Sequence, residues 1–78
     1  ILYLSHNKLL SLPATLGNLN NLQELYLSDN KLLELPATVN QLHSLQVLRV
    51  NNNRLLHGPA SLTNLALLEN LDISGNQI

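Results

Sequence analysis

The chain has 78 residues and a net charge of −1, so it lacks the overall basic character typical of nucleic-acid-binding domains. It contains no Phe, Trp, Met or Cys, so no disulfide can form, and the apolar runs are too short to insert into a membrane. The missing cysteines favour a reducing compartment. The sequence also lacks any Asn-x-Ser/Thr glycosylation site. We therefore expect a cytoplasmic protein, with a nuclear or other intracellular location as the alternative.

An asparagine recurs at intervals of 23 residues, and the same leucine pattern surrounds it each time, at Asn7, Asn30, Asn53 and Asn76. A fixed period of this length indicates a solenoid, in which each repeat stacks on the next. We expect one array over residues 1–78, with about three and a half repeats. No capping sequence is visible, so we expect a fragment of a longer array, or ends covered by further repeats or neighbouring subunits.

Each repeat contains a short run in which apolar and polar residues alternate, with the apolar pairs Leu2/Leu4, Leu25/Leu27, Leu48/Val50 and Leu71/Ile73. A period of two predicts strands with one buried face, over residues 1–5, 23–28, 46–51 and 69–74. Because long returns join identical strands, we expect a parallel sheet with neighbouring strands about 4.8 Å apart.

The recurring asparagine follows each strand, where the chain turns and directs backbone donors and acceptors inward. An asparagine side chain offers both a donor and an acceptor, whereas aspartate offers no donor and leucine offers neither. We predict that Asn7, Asn30, Asn53 and Asn76 form a ladder of hydrogen bonds with the backbone of their own and adjacent repeats. This interpretation gives the asparagines a structural role and not a catalytic one.

The return segments carry further apolar residues that should point inward, namely Leu9/Leu32/Leu55, Leu16/Val39/Leu62, Leu19/Leu42/Leu65 and Leu22/Leu45/Leu68. Prolines recur at Pro13, Pro36 and Pro59, and proline suits the first residue of a helical turn. Short helical or 3₁₀ turns are expected there. Gly58 replaces the leucine found at Leu12 and Leu35. A degenerate repeat and a functional bend are both compatible with that change.

The second repeat resembles the 23-residue class of leucine-rich repeats, similar to the repeats of Ras-associated scaffolds, through Leu22, Leu25, Leu27, Asn30, Leu32, Leu35, Pro36, Val39 and Leu42. The match covers essentially the whole chain. The resemblance implies an α/β repeat solenoid, a curved right-handed superhelix. The parallel strands would line its concave face and the short helical turns its convex side. Members of this class are typical of intracellular proteins and usually bind other proteins.

The outward strand positions would form the concave face, which comprises Tyr3, Glu24, Tyr26, Val47, Arg49, Asn70 and Asp72. In-register stacking should let Tyr3 stack on Tyr26 and Arg49 pair with Asp72. Tyrosine and arginine are enriched at protein interfaces. We therefore expect this face to bind another protein or a peptide. The alternative is a set of cross-strand pairs that only stabilise the sheet.

Two further rows follow the asparagines, a basic row of Lys8, Lys31 and Arg54 and an apolar row of Leu10, Leu33 and Leu56. The basic row could receive an acidic partner or a phosphate, or could simply keep the array soluble. The leucines could form an exposed docking stripe or tuck into the return segments. The sequence decides neither question.

The sequence favours a binding module over an enzyme. His6, His43 and His57 occupy different phases of the repeat, so they should not converge on a metal, and no cofactor is expected. We expect a scaffold, adaptor or recognition repeat, for example in signalling. The alternatives are a structural spacer or assembly element held through its edges and ends, and the recognition arm of a multidomain enzyme.

Overall fold

The computed structural model describes residues 1–57 and 65–78. Within them, four parallel strands form one sheet in the order of the sequence. The strands are β1 (Leu2–Tyr3), β2 (Glu24–Tyr26), β3 (Val47–Arg49) and β4 (Asn70–Asp72). This is the expected α/β repeat solenoid, with the parallel sheet on its concave face.

The repeat sets the register of the sheet. Leu25 pairs with Leu2 on one side and with Leu48 on the other, and Leu48 pairs with Leu71. Every residue of a strand therefore faces its own equivalent 23 positions away. This arrangement aligns one leucine from each repeat in a continuous inward row, in which Leu25 and Leu48 are fully buried.

The strands are shorter than predicted, but backbone pairing continues past their ends. Leu27 N–H donates to the Arg49 carbonyl at 2.7 Å, and Asp29 N–H donates to the Asn51 carbonyl at 3.0 Å. The alternation of the sequence extends further than the regular strand geometry, because the chain already begins to turn toward the asparagine.

Two 3₁₀ turns lie in the return segments, at Ala14–Asn18 and Ala37–Gln41. Pro13 and Pro36 precede these turns with extended backbone, which corrects the expectation that proline is the first helical residue. The proline carbonyls accept the first bond of each turn, from Leu16 N–H at 3.1 Å and from Val39 N–H at 3.0 Å. Proline fixes the entry of the chain into the turn, and its missing N–H leaves no donor unpaired.

The two turns pack closely at Gly17. A Cβ atom at that position would lie 2.7 Å from both the Cβ atom and the carbonyl oxygen of Thr38. Such a distance is a clash, so the close approach of the two turns depends on a residue without a side chain.

The core consists almost entirely of leucine from equivalent positions, with the buried side chains Leu16, Leu25, Leu27, Leu32, Val39, Leu42, Leu45, Leu48, Val50, Leu55 and Leu65. Of the expected core residues that the structure describes, Leu19 is 44% exposed and Leu71 is 40% exposed. Six more are only partly buried against the core, namely Leu2, Leu4, Leu9, Leu22, Leu68 and Ile73. Leu19 belongs to the first repeat and Leu71 to the last, so each packs against a neighbouring repeat on one side only. Burial in a solenoid comes from the adjacent repeat.

Three of the expectations fall outside the described residues. These are the bend at Gly58, the turn at Pro59 and the inward position of Leu62. Among the residues that are described, no helix has the length and apolar character needed to cross a membrane.

Candidate binding face on the sheet

The sheet brings the seven predicted contact residues onto one face. In β2 and β3, buried Leu25 and Leu48 alternate with the partly exposed side chains of Glu24, Tyr26 and Val47 and with exposed Arg49. Register places Tyr3 beside Tyr26, Tyr26 beside Arg49, and Arg49 beside Asp72. The flanking row runs from Glu24 through Val47 to Asn70. We call these seven residues the concave face.

Tyr3 and Tyr26 stack on one another. Their ring centroids are 4.7 Å apart and the ring planes differ by 12°, as expected from rings on directly paired positions of parallel strands. Tyr3 is nevertheless 68% exposed. The pair therefore presents a broad, ordered aromatic surface to solvent.

Glu24 holds the other end of the Tyr26 ring in place. The Tyr26 hydroxyl donates to Glu24 Oε1 at 2.5 Å, since residues two apart in a strand lie on the same face. This hydrogen bond is the main reason that the pKa of Tyr26 is raised, and the Glu24 charge acts in the same direction. Arg49 opposes the shift by favouring the ionised ring.

The expected ion pair between Arg49 and Asp72 does not form, although the two residues are in register. Asp72 Oδ1 instead accepts hydrogen bonds from the Ser74 N–H at 3.0 Å and the Ser74 hydroxyl at 2.6 Å. These bonds lower the pKa of Asp72, with a further contribution from the positive charge of Arg49. A serine two residues away satisfies the carboxylate without ordering the long arginine side chain. Arg49 remains exposed.

A polar row borders the concave face where the strands end. Ser5 Oγ accepts from the Ser28 N–H at 3.1 Å, and the Ser28 hydroxyl donates to Asn51 Oδ1 at 2.5 Å. These side chains bond mainly to one another across repeats, so they contribute to the stack more than to the open surface.

Asn30 and Asn53 are buried behind this row. The Asn53 amide donates to the carbonyls of Val50 in its own repeat at 3.0 Å and of Leu27 in the previous repeat at 2.9 Å. Its Oδ1 accepts the Leu32 N–H at 3.1 Å. Asn30 makes the equivalent bonds one repeat earlier. One side chain thus satisfies backbone groups in two repeats.

The other two asparagines show how this ladder depends on neighbouring repeats. Asn76 bonds the carbonyls of Ile73 and Val50 and accepts the Leu55 N–H. Asn7 is exposed and bonds only the carbonyls of Leu4 and Ser5 in its own repeat.

The residue before each ladder asparagine adopts a left-handed backbone conformation, which was not predicted from the sequence. The φ angles are 61° at His6, 58° at Asp29, 58° at Asn52 and 68° at Gly75. Their side chains also link repeats, since Asp29 lies 2.9 Å from His6 Nδ1 and accepts from the Asn52 amide at 3.0 Å. The left-handed conformation could have been predicted from the Asp, Asn or Gly that precedes three of the asparagines, because these residues tolerate positive φ.

The lateral rows lie beside the concave face. Leu10, Leu33 and Leu56 are 62%, 51% and 52% exposed, so the structure favours the open stripe over leucines tucked into the return segments. Lys8, Lys31 and Arg54 are also exposed. No group of three or more His, Cys, Asp or Glu side chains that could hold a metal ion occurs in residues 1–57 and 65–78.

Comparison with known proteins identifies the architecture. The family model for a leucine-rich repeat region matches residues 1–77, whereas no curated protein matches the sequence significantly. The fold is similar to that of a leucine-rich-repeat protein from Leptospira interrogans, with a TM-score of 0.92 and 39% sequence identity over 96% of this chain. This chain spans 19% of the length of that protein. The chain therefore belongs to the leucine-rich-repeat family.

Proposed function

We propose that this chain is a protein-binding module that holds a partner protein or peptide on its concave face. Leucine-rich repeats generally serve as protein-interaction modules. The observation that carries the proposal is the stacked pair of exposed Tyr3 and partly exposed Tyr26. A scaffold, adaptor or recognition repeat would use such a surface, and this role requires no chemical reaction.

The tyrosine pair is well suited to be an interface anchor. Stacking and the hydrogen bond from Tyr26 to Glu24 already order the second ring in the free protein. Because less side-chain freedom is lost when a partner binds, more of the contact energy appears as affinity. Tyr3 lies on the edge strand β1 and is 68% exposed, so one ring of the stack is open to a partner.

Arg49 supplies the second anchor beside the rings. Asp72 is occupied by Ser74, so the guanidinium remains available to a carboxylate or a carbonyl of the partner. Arginine forms paired hydrogen bonds with carboxylates, and arginine and tyrosine dominate the energetics of many interfaces. A partner with an apolar or aromatic group next to a carboxylate would match Tyr26 and Arg49 together.

A site-specific photocrosslinker tests where the partner binds. The photoreactive residue replaces Val47, a partly exposed residue of the concave face beside Glu24, in one variant. In the matched control it replaces exposed Thr15, in the first 3₁₀ turn. Both variants are irradiated in extracts of cells that express the protein. We expect one protein to be linked covalently at position 47 and not at position 15.

Mass spectrometry then identifies the linked protein. Its affinity for this chain is measured with both proteins purified. Equal crosslinking at the two positions, or crosslinking at position 15 alone, would contradict the proposal. Either result would place the contact outside the concave face.

A further inference from the structure

A second ordered surface lies where the chain leaves each asparagine. Lys31 N–H donates to the Leu9 carbonyl at 2.9 Å, and Arg54 N–H donates to the Leu32 carbonyl at 2.9 Å. Residues 8–10, 31–33 and 54–56 therefore stack in register, one segment from each repeat. Their side chains form regular rows because the backbone bonds fix the alignment of the segments.

Within each of these segments the side chains alternate between solvent and core. Leu32 and Leu55 are fully buried, whereas the next residues, Leu33 and Leu56, are 51% and 52% exposed. The basic residues precede the buried leucines and are exposed. The resulting lateral face consists of Lys8, Leu10, Lys31, Leu33, Arg54 and Leu56.

The lateral face is basic although the protein is not. It holds three of the four Lys and Arg residues of a chain whose net charge is −1. Within the described part of the chain, the contact between a basic and an acidic side chain joins His6 to Asp29 and involves none of these three cations. Glu34 follows Leu33 and adds a negative charge next to the leucine row. The face thus combines an exposed apolar row with cations available to a partner.

We propose that the lateral face docks an acidic amphipathic α-helix of a partner protein, with the helix running along the stacking direction of the repeats. The apolar side of the helix covers Leu10, Leu33 and Leu56. Glutamate or aspartate residues along one edge of the helix meet Lys8, Lys31 and Arg54. This site shares no residue with the concave face, so the two surfaces can be tested separately.

The spacing of the rows favours a helix over an extended peptide. Equivalent residues of adjacent strands lie about 4.8 Å apart, and a helix presents side chains of one face about every 5.4 Å. Three successive leucines of the protein can therefore meet three successive turns of a helix. An extended peptide repeats its side chains about every 6.7 Å, so its third anchor falls roughly 4 Å out of register.

The test uses a synthetic helical peptide, with leucine at every third or fourth position along one face and glutamate along one edge. It is titrated into the isotope-labelled protein, and amide NMR shifts report the site. We expect shifts concentrated in residues 8–10, 31–33 and 54–56. A peptide of the same composition with prolines that prevent helix formation should produce none of these shifts.

Variants then separate the apolar and the charged contributions. Leu33→Ser should weaken binding about tenfold, which corresponds to partial loss of one buried leucine. Lys31→Glu should weaken it severalfold and Glu34→Lys should strengthen it, and both effects should diminish in high salt. Glu69→Lys, an exposed change distant in sequence, is the control and should leave the affinity unchanged.

Several outcomes would overturn the proposal. These are no shifts at the lateral face at millimolar peptide, equal binding of the proline-containing peptide, and no response to Leu33→Ser or Lys31→Glu. Lateral shifts produced by vesicles of phosphatidylserine but not by the peptide would reassign the face to a membrane. Lateral shifts that depend on protein concentration alone would reassign it to a second copy of this chain.

Discussion

Within each strand, the inward residue is the same in every repeat, whereas the outward residue next to it varies. The inward row is leucine in every repeat, at Leu2, Leu25, Leu48 and Leu71, whereas the outward row one residue later reads Tyr3, Tyr26, Arg49 and Asp72. Each inward side chain must fit the equivalent residue of the next repeat, so one shape recurs. The outward side chains meet solvent or a partner. Differences between repeats therefore indicate where this solenoid can become specific for what it binds.

The lateral face differs from both rows. Its leucines recur as regularly as the core leucines, yet Leu10 is 62% exposed. The stack does not require leucine at an exposed position, because burial of the neighbouring Leu32 and Leu55 already fills the interior. A regular exposed row is what a partner with its own regular spacing would need, which is why we assign a helix to it.

The largest expected effect comes from truncating the inward row. Leu48 is fully buried, so Leu48→Ala should lower the free energy of unfolding by about 3 kcal/mol. Leu71 is 40% exposed, and Leu71→Ala should cost about 1 to 2 kcal/mol. Urea denaturation followed by circular dichroism measures both. Equal losses would show that the neighbouring repeats do not determine burial.

A smaller effect is expected from the asparagine ladder. Asn53→Ala leaves the Leu32 N–H without its acceptor and removes a donor from Leu27 and Val50, and it should cost about 2 to 3 kcal/mol. Asn7→Ala should cost less than about 1 kcal/mol, since Asn7 is exposed and bonds only its own repeat. The same urea measurement compares them. If Asn7→Ala were the more damaging change, the ladder would not link repeats as described.

The smallest expected effect is in the outward row, where the measured quantity is the pKa of Tyr26 and not the free energy of unfolding. In a Tyr3→Phe background, Tyr26 is the only tyrosine, and its ionisation can be followed by ultraviolet absorbance. Glu24→Gln removes the charged acceptor of the Tyr26 hydroxyl. Because that hydrogen bond is the main cause of the raised pKa, the pKa of Tyr26 should fall toward its ordinary value. An unchanged titration would mean that Glu24 does not hold the ring in solution.

Much of this fold was predictable because a repeat specifies its own packing. The 23-residue period determines the register of Leu25 with Leu2 and Leu48. The same period places Tyr3 beside Tyr26, so the aromatic stack follows from the sequence together with the spacing of parallel strands. These features depend on position along the chain, which a sequence shows directly.

Other features depend on local competition that the period does not show. Arg49 lies beside Asp72 as expected, but the Asp72 carboxylate accepts its hydrogen bonds from Ser74. The left-handed residues His6, Asp29 and Asn52 differ from one repeat to the next, so a search for identical residues overlooks them. The exposure of Leu19 reflects which repeats lie beside it, and a leucine in the sequence does not indicate how many neighbours it has.

If the outward row carries the partner contact, as we claim, then removing its two anchors should weaken binding. The partner identified by crosslinking is titrated against the wild-type protein, the double variant Tyr26→Ala/Arg49→Ala, and Thr15→Ala as an exposed control in the first 3₁₀ turn. Loss of two interface anchors should weaken binding by about 30-fold or more, with an unchanged circular dichroism spectrum and an unaffected control. An unchanged affinity of the double variant would contradict the claim and exclude this part of the concave face as the binding site.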